Sequence, residues 1–277
     1  MQRLLVVGYG DLARRAAPLL APRFAITALS RKAGFDLDQR ATLASSAADA
    51  LLHCVPPPPH GERDARTAQL LAALDEQRVA PKRLVYVSTS GVYGDCAGER
   101  VAETRPLNPQ TPRARRRADA ERQLEHWCAA RGTALVILRA PGIYAADRLP
   151  LERLRAGAPV LRREDDVYTS HIHADDLAAA LARALEADAL AGVYNAADDT
   201  ELLMGDWLDL VADYAGLPHP PRASRERIAE LVPPELLSFM QGSRRLNNAR
   251  LKQVLGVRLR YPTVSQGLRH EHAIGIH

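Results

Sequence analysis

Leu4-Leu5-Val6-Val7 runs straight into Gly8-Tyr9-Gly10-Asp11-Leu12-Ala13 at the start of the chain, and a helical pattern follows. That order spells strand, tight turn and helix N-terminus. The N–H groups that open such a helix have no intrahelical acceptor, and together with the helix dipole they attract a pyrophosphate. Gly8 permits the turn, and Gly10 lets the backbone approach phosphates with no Cβ in the way. Ala13 takes the place of a third glycine, an accepted variant where the helix packs on a sheet. Gly8, Gly10, Asp11 and Leu12 are therefore expected to hold the phosphates of a dinucleotide. The plain alternative is an ordinary strand-to-helix turn.

Apolar runs alternate with helical patterns through the first two-thirds of the 277 residues. Strands are expected at 4–7, 25–29, 50–55, 83–88, 134–138 and 192–195, with helices at 63–77 and 114–130 among the segments between them. This cadence predicts an α/β chain: a doubly wound, parallel-sheet Rossmann fold covered on both faces, with ligands at the carboxyl ends of the strands. Residues 1–148, joined by about 171–198, are expected to form the dinucleotide-binding domain. Residues 149–170 and 199–277 mix short helices with proline-punctuated loops and are expected to form a smaller substrate-binding lobe. Pro56-Pro57-Pro58-Pro59 leaves the third strand directly. Proline cannot continue a central strand, so Val55 and Pro56 either wall the cofactor pocket or begin a stiff connector.

Hydrophobic residues make up 47% of the chain, enough for a sizeable core, and the net charge of +4 suits an anionic small molecule as well as nucleic acid. No run of apolar residues is long enough to span a bilayer. Met1-Gln2-Arg3 leads directly into the first strand, which leaves no room for a signal peptide. Cys54, Cys96 and Cys128 lack metal-binding spacing and do not pair evenly. They read as reduced thiols of a cytoplasmic protein.

The second strand ends Ser30-Arg31-Lys32, where an NAD-selective site usually carries an acid on the ribose 2′-hydroxyl. A hydroxyl and two cations, with no acid competing for them, favour the 2′-phosphate of NADP over NAD. Asp36, shortly after, could contact the adenine. The plain alternative makes Arg31 and Lys32 a solvated turn.

Val87-Ser88-Thr89-Ser90-Gly91-Val92-Tyr93-Gly94-Asp95 resembles the signature strand of the extended short-chain dehydrogenases/reductases, the NAD-dependent epimerase/dehydratase group. Leu138-Arg139-Ala140-Pro141-Gly142-Ile143-Tyr144, His171-Ile172-His173-Ala174-Asp175-Asp176-Leu177-Ala178, Val193-Tyr194-Asn195-Ala196 and Arg244-Arg245-Leu246-Asn247-Asn248 resemble later segments of that family in the same order. The resemblance implies that Thr89 hydrogen-bonds the reacting oxygen, with Ser88 near the nicotinamide and Pro141 beside the cofactor. It places Arg244 and Arg245 where substrate diphosphates are often held. It also implies a homodimer formed through a helix pair.

The family's acid/base tyrosine and its lysine are missing. The match puts Arg113 at the tyrosine position and Arg117 at the lysine position, and no tyrosine occurs between Tyr93 and Tyr144. At about 100° per residue, Arg113, Arg117, Ala120, Leu124 and Cys128 share a helical stripe with the expected core face, so both arginines are expected to point inward, with Arg116 to the side. Arg117 could hold a ribose hydroxyl, and Arg113 a substrate anion. A guanidinium does not release its proton near neutral pH, so another acid must serve. Tyr93, Tyr144 and Tyr168 are the candidates, each also readable as a packing or substrate contact.

Two lesser signals remain. His171 and His173 lack a third ligand at useful spacing and read as hydrogen-bonded histidines before a helix rather than a metal pair. The Arg113–Arg117 run could bind nucleic acid, but the inward stripe and the lack of interleaved aromatics argue against it. The reading favoured is an NADP-preferring oxidoreductase or epimerase-like enzyme acting on a carbonyl or alcohol compound, with nucleotide sugars among the candidates. The competitor is a non-catalytic NADP(H)-binding redox sensor or interaction protein.

Overall fold

Leu4 and Val6 point into one core while Leu5 and Val7 point into another, the period-2 alternation of a strand buried on both faces. The strand is β1 (Gln2–Val7), and the computed structural model that contains it describes residues 1–39, 47–237 and 240–273. Five more strands complete a parallel sheet: β2 (Phe24–Leu29), β3 (Ala50–His53), β4 (Arg83–Thr89), β5 (Ala134–Ala140) and β6 (Gly192–Asn195). Their order across the sheet is β6-β5-β4-β3-β1-β2. The same alternation recurs in β4, where Val85 and Val87 face the first core and Leu84 and Tyr86 the second.

Helices cover both faces. α1 (Asp11–Leu20) packs against α4 (Ala174–Ala184) on one side. On the other, α2 (Ala65–Glu76) packs against α3 (Pro112–Arg131). This is the doubly wound α/β Rossmann architecture expected from the strand–helix cadence. Thr111 caps α3, its hydroxyl accepting from the Ala114 N–H at 3.2 Å, and Gly132 ends it in the left-handed conformation at φ +65°. β3 stops at His53, two residues before the expected end. The Cys54 N–H still reaches the Val7 carbonyl at 2.8 Å, but the prolines from 56 onward have no N–H to extend the ladder.

From β1 the chain passes to β2 on one side and then to β3 on the other. The crevice of such a sheet opens at that reversal, between the Gly8–Gly10 turn and the proline segment after β3. A separate apolar cluster joins Leu154, Val160, Trp207, Leu208, Val211 and Val264 beyond the carboxyl ends of β4 and β5. Short strand pairs tie this region to the sheet: Gly142–Tyr144 beside His171–His173, and Arg100–Val101 beside Arg245–Leu246. They carry Tyr168 and Arg244 to the end of β4. Among the described residues, no helix is long and apolar enough to cross a membrane.

Candidate active site

Gly8 sits at φ +90°, and a Cβ there would come within 2.9 Å of the Val55 nitrogen. Any side chain would force the first and third strand ends apart. The Gly8 N–H donates to the Leu29 carbonyl at 2.9 Å, and the Gly10 N–H to the Gly8 carbonyl at 2.8 Å. Gly10 is the N-cap of α1 and offers no side-chain cap. A Cβ built on it would meet nothing within 4 Å, so the space in front of the helix start is open. An uncapped helix start, a cleared approach and the dipole together fit a pyrophosphate. The Asp11 and Leu12 N–H groups lie in that first turn. The Asp11 carboxylate accepts from Arg15 at 3.2 Å and from Arg148 at 2.7 Å. These bonds hold its pKa below the usual carboxylate range although burial pushes the other way.

Ser30 ends β2 in extended conformation and opens a short turn, Arg31–Ala33, on which Arg31 and Lys32 are exposed. An acid does lie near them, contrary to expectation: the Arg31 charge contributes to the depressed pKa of Asp38. That carboxylate is already paired with Arg66 at 2.6 and 2.5 Å, which lessens its competition. Arg66 also donates to the Pro56 and Pro57 carbonyls at 3.0 and 3.2 Å, pinning the proline segment against α2. Asp36 is half-buried and accepts from the Asp38 N–H at 3.0 Å.

Beyond the ends of β4 and β5 lies a cavity of about 530 Å³, lined among others by Thr89, Arg113, Arg117, Pro141, Tyr168 and Arg244. Thr89 Oγ1 accepts from the Gly91 N–H at 3.2 Å, which leaves its own proton for another acceptor. Arg117 anchors to the Val87 carbonyl at 2.7 Å and the Tyr86 hydroxyl at 3.0 Å. Arg244 donates to the Gly94 carbonyl at 3.1 Å, while its buried Nε has no hydrogen-bond partner among the described residues. Desolvation in the cleft, then Arg117 and Arg116, lower the pKa of Arg113, which nonetheless stays cationic near neutrality. With Arg148, four arginines line this cavity and no aspartate or glutamate does so among the described residues. Such a lining favours an anionic occupant.

Several expected site residues are placed elsewhere. The Ser88 hydroxyl donates to Glu121 on α3, because the pleat turns Ser88 away from the face that presents Thr89. Tyr93 is buried and off the cavity: its hydroxyl donates to Asn195 Oδ1 at 2.8 Å and accepts from Arg139 at 2.9 Å. Burial raises its pKa, which suits it poorly to proton transfer. Tyr144 is buried too, packed edge-on against His173 and Trp207. Of the three candidate tyrosines only Tyr168 lines the cavity. Arg245 points away, donating to the Gly98 carbonyl at 2.7 Å and pairing with Glu201, with its guanidinium over the Tyr168 ring.

The arginine run on α3 is not a surface patch. Arg115 pairs with Glu62, and Arg116 donates to the Gly61 carbonyl at 2.7 Å. Arg116, expected to the side, is the buried one, because the loop before α2 folds over it, while Arg113 is open to the cavity. His173 Nδ1 accepts from the Asp175 N–H at 3.2 Å as a helix cap. His171 packs on Trp207, and burial lowers its pKa to about 3. Among the described residues, no group of three histidines, cysteines or acids could hold a metal ion.

The buried Arg139–Glu121 pair beneath the cavity was not foreseen. An arginine inside the apolar run of β5 was the available signal, since a strand buried on both faces tolerates a charge only with a partner. Arg15 and Arg148 were also missed, because the network they form draws on residues far apart in sequence.

Residues 65–197 match the NAD dependent epimerase/dehydratase family. The match begins after the glycine turn and ends before Arg244. No curated protein has a matching sequence. A functionally unknown conserved protein from Silicibacter pomeroyi is similar over 100% of both chains, at 29% identity and a TM-score of 0.81. The structure of RMD from Pseudomonas aeruginosa complexed with NADPH is 21% identical, with 99% of this chain and 98% of that one covered and a TM-score of 0.75. A human epimerase family protein with NADPH is 19% identical, with 98% and 99% covered and a TM-score of 0.76.

Proposed function

We propose that this chain, which carries an NAD dependent epimerase/dehydratase domain over residues 65–197, is an NADP-preferring oxidoreductase acting on a small anionic carbonyl or alcohol compound. One observation carries the reading. A single cavity joins Thr89 and Arg117, at the family's oxygen-binding and lysine positions, to Tyr168, Arg113 and Arg244. The open helix start at Gly10 would receive the bridging phosphates, and Ser30, Arg31 and Lys32 the adenosine end. Structures of similar fold bound to NADPH or to NAD support a nicotinamide dinucleotide, and the preference for NADP rests on Ser30, Arg31 and Lys32.

The nicotinamide would supply or accept hydride. Thr89 donates a hydrogen bond to the substrate oxygen, where charge develops. Arg117 is fixed by the Val87 carbonyl and adds positive charge beside it. Tyr168 is the phenol placed to pass a proton, a task Arg113 cannot perform. Arg113 and Arg244 grip the substrate's anionic group.

The test is to follow NADPH absorbance with a panel of carbonyl compounds that do and do not carry a carboxylate or phosphate. Consumption confined to the anionic members supports the reading. Consumption of neutral carbonyls alone contradicts the role given to the arginines. A second reading, a non-catalytic NADP(H) sensor, draws on arginine at both the tyrosine and lysine positions. Binding of NADPH with no turnover across the panel would favour it.

A further inference from the structure

We propose that Arg148 is a ligand of the dinucleotide's bridging phosphates, so that the wall of the substrate cavity reaches over to the cofactor. The inference rests on the dinucleotide reading above and adds a residue outside the glycine turn. Arg148 ends a short turn, Ala146–Arg148, just past the Gly142–Tyr144 strand that follows β5. It lines the cavity with Thr89 and Arg117. At the same time its Nη1 lies 2.7 Å from Asp11 Oδ2, on the first residue of α1. One guanidinium thus touches both the cavity and the helix start where the phosphates would lie.

The surrounding charges leave Arg148 available. Asp11, Asp147 and Asp175 converge on Arg15, at 3.2, 2.7 and 2.8 Å. Asp11 therefore keeps a cationic partner when Arg148 bonds elsewhere. The Arg148 guanidinium has no hydrogen-bond partner but Asp11 among the described residues, and the side chain is one-third exposed. A pyrophosphate arriving beside the Asp11 carboxylate would meet like charge. A planar, permanently charged fork between the two offsets that repulsion and can bond two phosphate oxygens at once.

Calorimetry on the full chain tests this with two probes: NADPH, and adenosine 2′-phosphate, which lacks the bridging phosphates. Arg148→Gln is expected to weaken NADPH about tenfold or more, the loss of a charge-assisted bond, and to leave adenosine 2′-phosphate within about twofold. Arg148→Lys keeps the charge and should recover part of that loss. Asp147→Asn releases the turn's other tether but retains Arg148, and should leave NADPH within about threefold. The proposal is overturned if Arg148→Gln binds NADPH as tightly as the parent, or if Asp147→Asn reproduces the full loss, which would reduce Arg148 to a prop for the turn. If the folded parent binds no NADPH at all, the dinucleotide reading itself fails, an outcome distinct from either.

Discussion

Arg139 Nη2 lies 2.6 Å from Glu121 Oε2, and both side chains are almost wholly withdrawn from water. The pair ties β5 to α3, the helix that carries Arg113 and Arg117 into the cavity. Burial works against the Arg139 cation, yet the hydrogen bond and charge of Glu121 hold its pKa above the ordinary value. Tyr93 and Asn195 extend the network to β6. Glu121→Ala would leave a buried guanidinium unpaired, at an expected cost of about 3–5 kcal/mol in unfolding free energy. Chemical denaturation measures it. A loss under about 1 kcal/mol would mean the pair contributes little.

Thr89 and Tyr93 separate the chemical role from the structural one. Thr89→Val would remove the donor proposed for the reacting oxygen and is expected to lower turnover about a hundredfold with little change in melting temperature. Tyr93→Phe breaks two buried bonds and is expected to cost about 1–3 kcal/mol of stability, leaving the pH profile of turnover in place. The reverse pattern would assign the chemistry to Tyr93.

On the proposed reading, Arg31 sets the preference for NADP over NAD. Arg31→Ala would delete the charge-assisted contact proposed for the 2′-phosphate, so NADPH affinity should fall about tenfold or more while NADH affinity barely changes. Paired fluorescence titrations measure both. Equal loss for the two nucleotides would assign Arg31 to some other contact.

The fold was legible because unbroken apolar runs, as strands buried on both faces require, alternate with helical patterns along the chain. Gly8 and Gly10 were legible because only glycine satisfies a positive φ against Val55 or leaves the helix start clear. Arg113 and Arg117 both line the cavity, but a helical stripe alone misjudged which arginine is buried. The loop carrying Gly61 decides that, and no local period reports it. Ser88 and Tyr93 misled because a motif gives positions along a strand, while the pleat and the distant Glu121, Arg139 and Asn195 decide where each hydroxyl points. The Arg15–Arg148 network joins residues more than a hundred positions apart, and only the folded chain brings them together.

Asp198 gives the molecule a pH signature. Burial pushes its carboxyl up to about 8, against about 3.9 when unfolded. The folded state therefore binds the extra proton between those values, and its stability falls as pH rises from about 4 to 8. Asp198→Asn keeps an acceptor for the Thr200 N–H and removes the titration. The variant should melt higher than the parent at pH 8, by about 1–3 kcal/mol equivalent, with the gain fading near pH 4. A gain independent of pH would contradict the assignment.

Isothermal calorimetry with NADPH on the folded, unmodified chain addresses the dinucleotide site without reference to any substrate. Saturable binding at one site per chain, tighter than for NADH, is the expected result. No heat with either nucleotide, from protein that melts cooperatively, would contradict a cofactor site at Gly8–Leu12.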